Sequence, residues 1–547
     1  MIKADVVIIG SGLAGLVAAH EATNRGRRVI LIDQEGPQSM GGQAFWSLGG
    51  LFMVDTPEQR RMGIRDSPEL ARQDWLGSAQ FDRPEDDMPR QWADAYLEFA
   101  SGTMRSYLRE LGMRWFPVVG WAERGGAAAG GHGNSVPRFH ITWGTGEGVV
   151  APFIRLANAA IDIGLLRHAF RHRVSRIDVT DGRATGVSGE ILDVDYAPRG
   201  ASTTRDVTGE FSFAAESIVV ASGGIGGDHD AVRALWPRDR LGEPPAHMVS
   251  GVPDYVDGQM QAVAKAAGAG AINEDRMWHY CEGLRNWNPI WPNHGIRVLP
   301  GPSSVWLDGN GDRMEPPCMP GFDTLSTLKR ILAAGHEHSW FILTQKIIEK
   351  EFALSGSEQN PDLTSGKWLN VLRERLGKGA TRAVEAFKEK GTDFVVADDL
   401  ETLVAGMNRL MPGAPLALDH VRGQIAARDA ALDDPVAEDA QINAINHART
   451  YLGDKLIRTA KPHAILDPKN GPLIAVRLNI LTRKSLGGLH TDLAGRVLRD
   501  DGTIFDGLYA AGEVAGFGGG GYHGYNALEG TFLGGCVFSG MKAGQSA

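Results

Sequence analysis

The stretch ADVVIIGSGLAGLVAAHEATNRGRRVILIDQEG, residues 4–36, decides the fold. Val6 to Ile9 is a short β-branched run suited to a strand buried on both faces. Gly10-Ser11-Gly12-Leu13-Ala14-Gly15 follows as G-x-G-x-x-G; apolar residues at Leu16, Val17, Ala19 and Ala22 predict a helix over 16–24, and Gly26 stops it. RVILID then forms a second strand ending on Asp33, 23 residues after Gly10. A glycine turn alone is a weak signal, but strand, turn, helix, strand and terminal acid in this order specify a βαβ unit that binds a dinucleotide. In such a unit Gly10 permits the turn, Gly12 lets backbone amides and the helix N-terminus approach a pyrophosphate, and Gly15 brings helix against strand. Asp33, followed by Gln34, would accept hydrogen bonds from both ribose hydroxyls, which favours a nucleotide without a 2′-phosphate.

The totals bound what surrounds this unit. At 547 residues the chain exceeds the roughly 250–300 at which one core stops growing, so two or more domains are expected. The 71 glycines follow no period and belong to turns and close-approach loops. A net charge of −10 and a pI near 5.9 argue against a nucleic-acid footprint or a basic membrane-binding face. Three cysteines without CxxC or metal-ligand spacing argue against a disulfide scaffold or a metal site. No stretch approaches the roughly 18 apolar residues of a membrane span, and the first apolar run lacks the features of a signal peptide; the expected location is cytoplasmic. No second strand-GxGxxG-helix unit occurs: WGTGEGV at 143–149 follows no apolar strand, and Gly268-Ala269-Gly270 ends a helix. A separate NAD(P)H site is therefore not expected. With no CxxCH or iron–sulfur cysteine set, the electron acceptor or donor is left open among a second substrate, a quinone, oxygen and a carrier protein.

Further motifs choose the dinucleotide. SMGGQAFWSLGG at 39–50 resembles the loop after the second strand in a flavoprotein class that includes fumarate reductase and succinate dehydrogenase flavoprotein subunits and 3-ketosteroid dehydrogenases. The resemblance implies FAD, with Gly41, Gly42, Gln43, Ser47, Gly49 and Gly50 along its pyrophosphate and ring. GGHGNSVPRFH at 130–140 is similar to the class's GGHS-x-x-R-x-H loop with Gly133 and Asn134 as extra residues; its likeness to the soluble members around His132 favours noncovalent FAD and leaves a histidyl link open. RHRVSRIDVTDGRATGVSGE at 171–190 would present the Val174 backbone to adenine, and AAESIVVASGGIGG at 214–227 would return Ala221, Ser222 and Gly223 to the cofactor. FDGLYAAGEVAG at 505–516 resembles the class's last strand, with Gly512 and Glu513 at the ribityl chain. The implied fold is α/β: a Rossmann-like (GR2-type) FAD-binding domain built from two segments, 1–275 and 476–547, with an inserted α+β capping domain at 276–475. The Trp- and Pro-rich WHYCEGLRNWNPIWPNHG at 278–295 opens that insertion. The charged stretch 371–390 reads as a solvated helix face.

The glycine run Gly518–Gly521, followed by YHGYNALEGTFLGG, is expected to lie against the flavin ring, with a helix whose first amides, at Asn526, Ala527 and Leu528, face the ring's pyrimidine oxygen. Fumarate reductases carry a cap arginine where this chain has Gly321, a substrate histidine where it has Lys484, and a C-terminal arginine where it has Ala527, so a dicarboxylate is not the expected substrate. The 3-ketosteroid dehydrogenases place a catalytic tyrosine after the last strand, and Tyr522 stands there, but their cap tyrosine also aligns with Gly321. The expected function is an FAD-dependent dehydrogenase or ene-reductase acting on a small molecule at a carbon–carbon bond beside a carbonyl or carboxylate. Steroid Δ1-dehydrogenation and an electron-transfer subunit are the alternatives. A proton carrier is needed beside the flavin, and Tyr522 or Tyr525 near Lys484 would serve. Lys484 and Arg483 could hold a carbonyl or carboxylate; the plainer readings are Tyr525 as a core hydrogen-bonder and Arg483 as a surface charge.

Overall fold

Residues 4–36 fold as β1 (Ile2–Ile9), α1 (Leu13–Asn24) and β2 (Val29–Asp33) in the computed structural model, which describes residues 2–126, 130–375, 377, 379–432 and 439–547. Residues 376 and 378 of the charged stretch lie outside the described residues. The helix starts three residues before the first periodic apolar position because Gly10, at φ +106°, turns the chain directly out of β1. Only glycine fits there: a Cβ on Gly10 would sit 2.5 Å from the Ala221 carbonyl oxygen, and one on Gly15 would sit 1.9 Å from the Gly10 oxygen.

Later strands are β3 (Leu166–Phe170), β4 (Val207–Val220), β5 (Met277–Arg285), β6 (Gly295–Leu299), β7 (His338–Thr344), β8 (Leu473–Ser485) and β9 (Ile504–Ala510), and the last helix is α2 (Thr531–Ser546). The first, eight-stranded sheet has a parallel core β9-β4-β1-β2-β3, with Arg496–Leu498 added antiparallel to β9 and the hairpin His172–Thr180/Arg183–Leu192 added antiparallel to β4, so β1, buried on both faces, carries Val6, Val7 and Ile8 without exposure. Its register places Ile9 beside Ile32 and Val220, and Val220 beside Ala510. Four strands thus end flush, and Gly10, Asp33, Ala221 and Gly512 leave the sheet at one edge, the place where open parallel sheets bind ligands. α1 and α2 cover one face. They approach closely because Gly540 and Gly544 of α2 lie against the Ala14 and Ala18 carbonyls, where a Cβ would come within 2.6 and 2.4 Å. That contact ties the C-terminal segment to the N-terminal one.

A second, largely antiparallel sheet runs Val305–Leu307, β7, β8, β5, β6 and Ala353–Leu354, with Phe394–Ala397 paired antiparallel to β8 and Val249–Ser250 parallel to it. Helices Leu400–Leu410 and Leu418–Ala430 back it through Leu403, Met407, Val421 and Ile425. The protein is thus mixed α/β, with one sheet built on a parallel core and a second that is largely antiparallel. β8 links them: it begins in the middle of the second sheet and ends at Lys484 and Ser485, against the edge of the first.

Candidate functional site

The flush strand ends open onto an elongated cavity with about 1660 Å³ of empty space, open solvent at its mouth included. At one end it is walled by the glycine turn. Gly10, Gly12, Leu13 and Ala14 line it; Gly12 adopts φ −68° as the N-cap of α1, and an added Cβ there would meet nothing within 4 Å. No side chain caps α1 and no acid stands in its first turn, so the amides at its positive end remain open to an anion. Asp33 and Gln34 line the same end, and Val174 closes it from the hairpin strand His172–Thr180. Asp33 has a second duty: one carboxylate oxygen accepts from the Ser11 amide at 2.8 Å and the Ser11 hydroxyl at 2.6 Å. Ser11, Gly15 and Gly41 therefore shape the turn without lining the cavity, Gly41 through its amide to the Ser11 carbonyl at 2.9 Å.

Midway, Gly42, Gln43, Ser47, Gly49 and Gly50 form one wall and Ala221, Ser222 and Gly223 the other. Between them Glu513 and Gly512 meet Lys484. The Lys484 ammonium donates to Gln43 Oε1 at 2.5 Å and Glu513 Oε2 at 3.3 Å, while Gln43 Nε2 donates to the same Glu513 oxygen at 3.1 Å and the Ser485 amide to the other at 2.9 Å. Burial lowers the Lys484 pKa, and the neighbouring Glu513 charge opposes that shift.

Beyond Lys484 the cavity widens into a chamber that the sequence did not reveal. Phe139, Leu299, Phe517, Phe532 and Leu533 supply its apolar surface, and Tyr280, Arg297 and Glu529 its polar groups. Arg297, 2% exposed, donates to Glu529 Oε1 at 2.7 Å and Glu123 Oε1 at 2.9 Å, with Glu282 at 3.7 Å, and its guanidinium lies 3.8 Å from the Tyr280 ring centre. The Trp278 indole donates to Glu529 at 3.2 Å. Burial raises the pKa of Glu123 and of Glu282, which favours their neutral acids. Burial first, and the Glu529 charge second, push the Tyr280 phenol well above its ordinary range. One sequence signal was available: in GIRVL, Arg297 is a lone charge within a strand of apolar residues, and a charge so placed is buried only with partners.

Several expected residues lie elsewhere. Tyr522 does not line the cavity; it is fully buried, packs against Trp75 and Tyr96, and donates to the Thr531 carbonyl at 2.7 Å, with burial raising its pKa well above the usual phenol value. Tyr525 also lies outside it, donating to Asp82 at 2.8 Å beneath Arg240 and Arg276. α2 begins at Thr531 rather than at residue 526, because Gly530, at φ +92°, is its N-cap. Asn526, Ala527 and Leu528 consequently precede the helix and line a small separate cleft with His132 and Glu123. His132 itself meets Asp323 at 2.9 Å. The run Gly518–Gly521 packs on Trp92, Pro89 and Ile272, where added Cβ atoms would come within 2.5–2.8 Å at three positions, so its glycines answer to protein packing and Phe517 is the neighbour that faces the cavity.

The open Gly12 position, the uncapped helix end and the acid at the end of β2 fit the pyrophosphate and ribose of FAD. The model of the family described as FAD binding domain matches residues 5–533. A KsdD-like steroid dehydrogenase of Mycobacterium tuberculosis is 57% identical over 546 residues, covering 100% of this chain and 96% of that protein. Among solved structures, the 3-ketosteroid Δ1-dehydrogenase of Sterolibacterium denitrificans in complex with 1,4-androstadiene-3,17-dione superposes with a TM-score of 0.68 at 16% identity, covering 100% of this chain and 99% of that one. The open conformation of a flavocytochrome c3 fumarate reductase gives 0.64 at 19% identity, covering 100% and 78%, and both likenesses concern the fold. Among the described residues no helix is long and apolar enough to cross a membrane. The chain belongs to the FAD binding domain family and is an FAD-dependent oxidoreductase acting on CH–CH groups.

Proposed function

We propose that this chain is a steroid dehydrogenase that desaturates a ring carbon–carbon bond beside a carbonyl group. The observation that carries the reading is the buried Arg297–Glu529 pair, set in an apolar chamber continuous with the glycine turn. The 57% identity to the mycobacterial KsdD-like steroid dehydrogenase over the whole chain supports the substrate class. FAD, when bound, supplies the acceptor for the two electrons that leave the substrate.

The remaining work falls to the protein. Gly10, Gly12 and the first-turn amides of α1 would hold the pyrophosphate, Asp33 and Gln34 the ribose, and Val174 the adenine. Gln43, Lys484 and Glu513, locked together by three hydrogen bonds, would present a fixed polar wall to the ring-bearing half. The second sheet acts as the inserted cap, and its β5 and β6 bring Tyr280 and Arg297 over the first domain. A flat apolar substrate would pack on Phe139, Phe517 and Phe532 and displace water there.

Desaturation beside a carbonyl requires a proton to leave the adjacent carbon and the carbonyl oxygen to be polarised. Glu529 takes that proton: its carboxylate faces the cavity and is oriented by Arg297 and Trp278. Tyr280, kept as a phenol by burial, donates a hydrogen bond to the carbonyl oxygen. Arg297 positions both groups without itself titrating.

Anaerobic titration of the FAD-loaded protein with a 3-oxosteroid, a short enoate and a dicarboxylate tests the reading through the visible absorbance. The expected outcome is loss of the band with the 3-oxosteroid alone. Loss with the dicarboxylate instead, or with none of the three, overturns it.

A further inference from the structure

Arg297 stands among three buried acids, and the two it holds most closely face different spaces. Glu529, accepting at 2.7 Å, lines both the large cavity and the small cleft that contains Asn526, Ala527 and Leu528. Glu123, accepting at 2.9 Å, lines the cleft alone. The cleft holds about 240 Å³ of empty space, open solvent included, and His132 and Gly133 wall it beside the exposed Gly130 and Gly131. Glu123 uses Oε1 for both Arg297 and the Thr324 hydroxyl, and its Oε2 takes part in no hydrogen bond among the described residues. The third acid, Glu282, lies 3.7 Å from the guanidinium and lines neither space.

Charge limits what this cluster can hold. One guanidinium balances one carboxylate, and the side chains of Arg297, Glu529 and Glu123 are 2%, 9% and 11% exposed, so a second carboxylate would be a buried charge without a counter-ion. The other charged groups nearby are committed. Arg124, next to Glu123, pairs with Asp454 at 2.8 Å, His132 is hydrogen-bonded to Asp323 at 2.9 Å, and burial keeps the Cys281 thiol protonated. Burial raises the Glu123 pKa, Arg297 opposes the rise and the Glu529 charge adds to it, so the resting pair is a Glu529 carboxylate and a Glu123 acid. Once Glu529 is neutral that repulsion ends, and the guanidinium draws Glu123 into its carboxylate form.

We propose that Glu123 is the proton-release group of the reaction: for each proton that Glu529 takes at the large cavity, Glu123 gives one up to water in the cleft. The inference rests on the role of base given to Glu529 above. The substrate C–H bond breaks and an O–H bond forms on Glu529; the O–H bond of Glu123 breaks, its proton passes to water, and the electron pair stays on the carboxylate that now faces Arg297. The cluster keeps its net charge throughout. Glu529 returns to its carboxylate by passing its proton to Glu123 across the cleft that both line, so no proton has to leave through a cavity filled by substrate. Glu123 touches no substrate and acts through Arg297 and Glu529.

Two readouts on the FAD-loaded protein test this. Glu529→Gln imitates the protonated base, so Glu123 ionises in its place and the variant migrates as wild type in native capillary electrophoresis at about pH 7.5; Glu123→Gln also migrates as wild type, and the double variant runs one positive charge apart. A one-charge shift in either single variant overturns the exchange, and a double variant that still migrates as wild type assigns it to Glu282 and overturns it too. In stopped-flow reduction by a 3-oxosteroid with a pH-indicator dye, wild type releases its proton in step with flavin bleaching, whereas in Glu123→Gln release lags bleaching by about tenfold or more. Release in step with bleaching in that variant overturns the proposal, since a merely structural Glu123 would alter stability or FAD occupancy without separating the two signals. A wild type that no 3-oxosteroid reduces overturns the proposed function instead, and the mobilities then decide the exchange by themselves.

Discussion

Replacing Glu529 by glutamine separates the chemistry of the chamber from its architecture. The amide keeps the volume of the side chain and an oxygen for Arg297, and because the Glu529 charge is one of the causes that keep Glu123 and Glu282 protonated, its removal favours ionisation of Glu123, 2.9 Å from Arg297, so the guanidinium charge is not stranded. The stability cost is that of weakening one charge-assisted hydrogen bond, about 1–2 kcal/mol. The cost to turnover is larger, because an amide takes no proton: loss of a general base lowers kcat about 10²–10⁴-fold, or about 3–5 kcal/mol in the barrier. The assay is steady-state oxidation of a 3-oxosteroid with a dye acceptor at matched FAD occupancy, alongside a thermal melt. A kcat within about threefold of wild type, against the minimum of about 10² expected, refutes the assignment. So does a fall in kcat that merely follows loss of FAD. Arg297→Met should show the opposite balance, costing about 3–5 kcal/mol of stability by leaving the buried Glu529 carboxylate without its cation.

Tyr522→Phe should leave kcat unchanged and cost about 1–2 kcal/mol in a melt, since it deletes only the bond to the Thr531 carbonyl; a hundredfold fall in kcat would return this tyrosine to the reaction. Gly12→Ala and Gly15→Ala should diverge. A methyl at Gly12 meets open space at an ordinary φ, so the apoprotein should melt as wild type while FAD absorbance on purification falls; a methyl at Gly15 strikes the Gly10 carbonyl, so folded yield should fall whether or not FAD is supplied. His279 is buried against Trp236, neither ring nitrogen has a partner, and burial depresses its pKa to about 3. The unfolded chain binds that proton near pH 6.5 and the folded one does not, so stability falls as pH drops from about 6.5 towards 3, by about 2 kcal/mol at pH 5. His279→Phe should therefore raise the melting temperature more at pH 5 than at pH 7.5, and an equal shift at both would show that the ring does not resist protonation.

The sequence was most informative where function is written into the backbone of a contiguous stretch. Gly10, Gly12, Gly15 and Asp33 could be assigned because a parallel βαβ unit dictates both their spacing and their conformations, and the later loops were legible because each follows a strand whose end must reach the same edge. Lys484 was singled out and lies in the cavity, yet its partners come from other segments, Gln43 from 441 residues away in the chain and Glu513 from 29. The chamber was not legible. Its polar groups arrive on separate elements, Tyr280 on β5, Arg297 on β6 and Glu529 just before α2, and no local pattern relates them. The glycine run at 518–521 misled for the same reason. Glycine reports that something is close, and only the tertiary structure shows that here the close neighbour is Trp92. By itself the sequence determined the dinucleotide edge, because backbone conformation and strand order are local and repeated in every such unit. Which side chains stand over that edge was decided by packing two sheets through β8, since a buried charge such as Arg297 has a role only once its carboxylates have been brought within hydrogen-bonding distance.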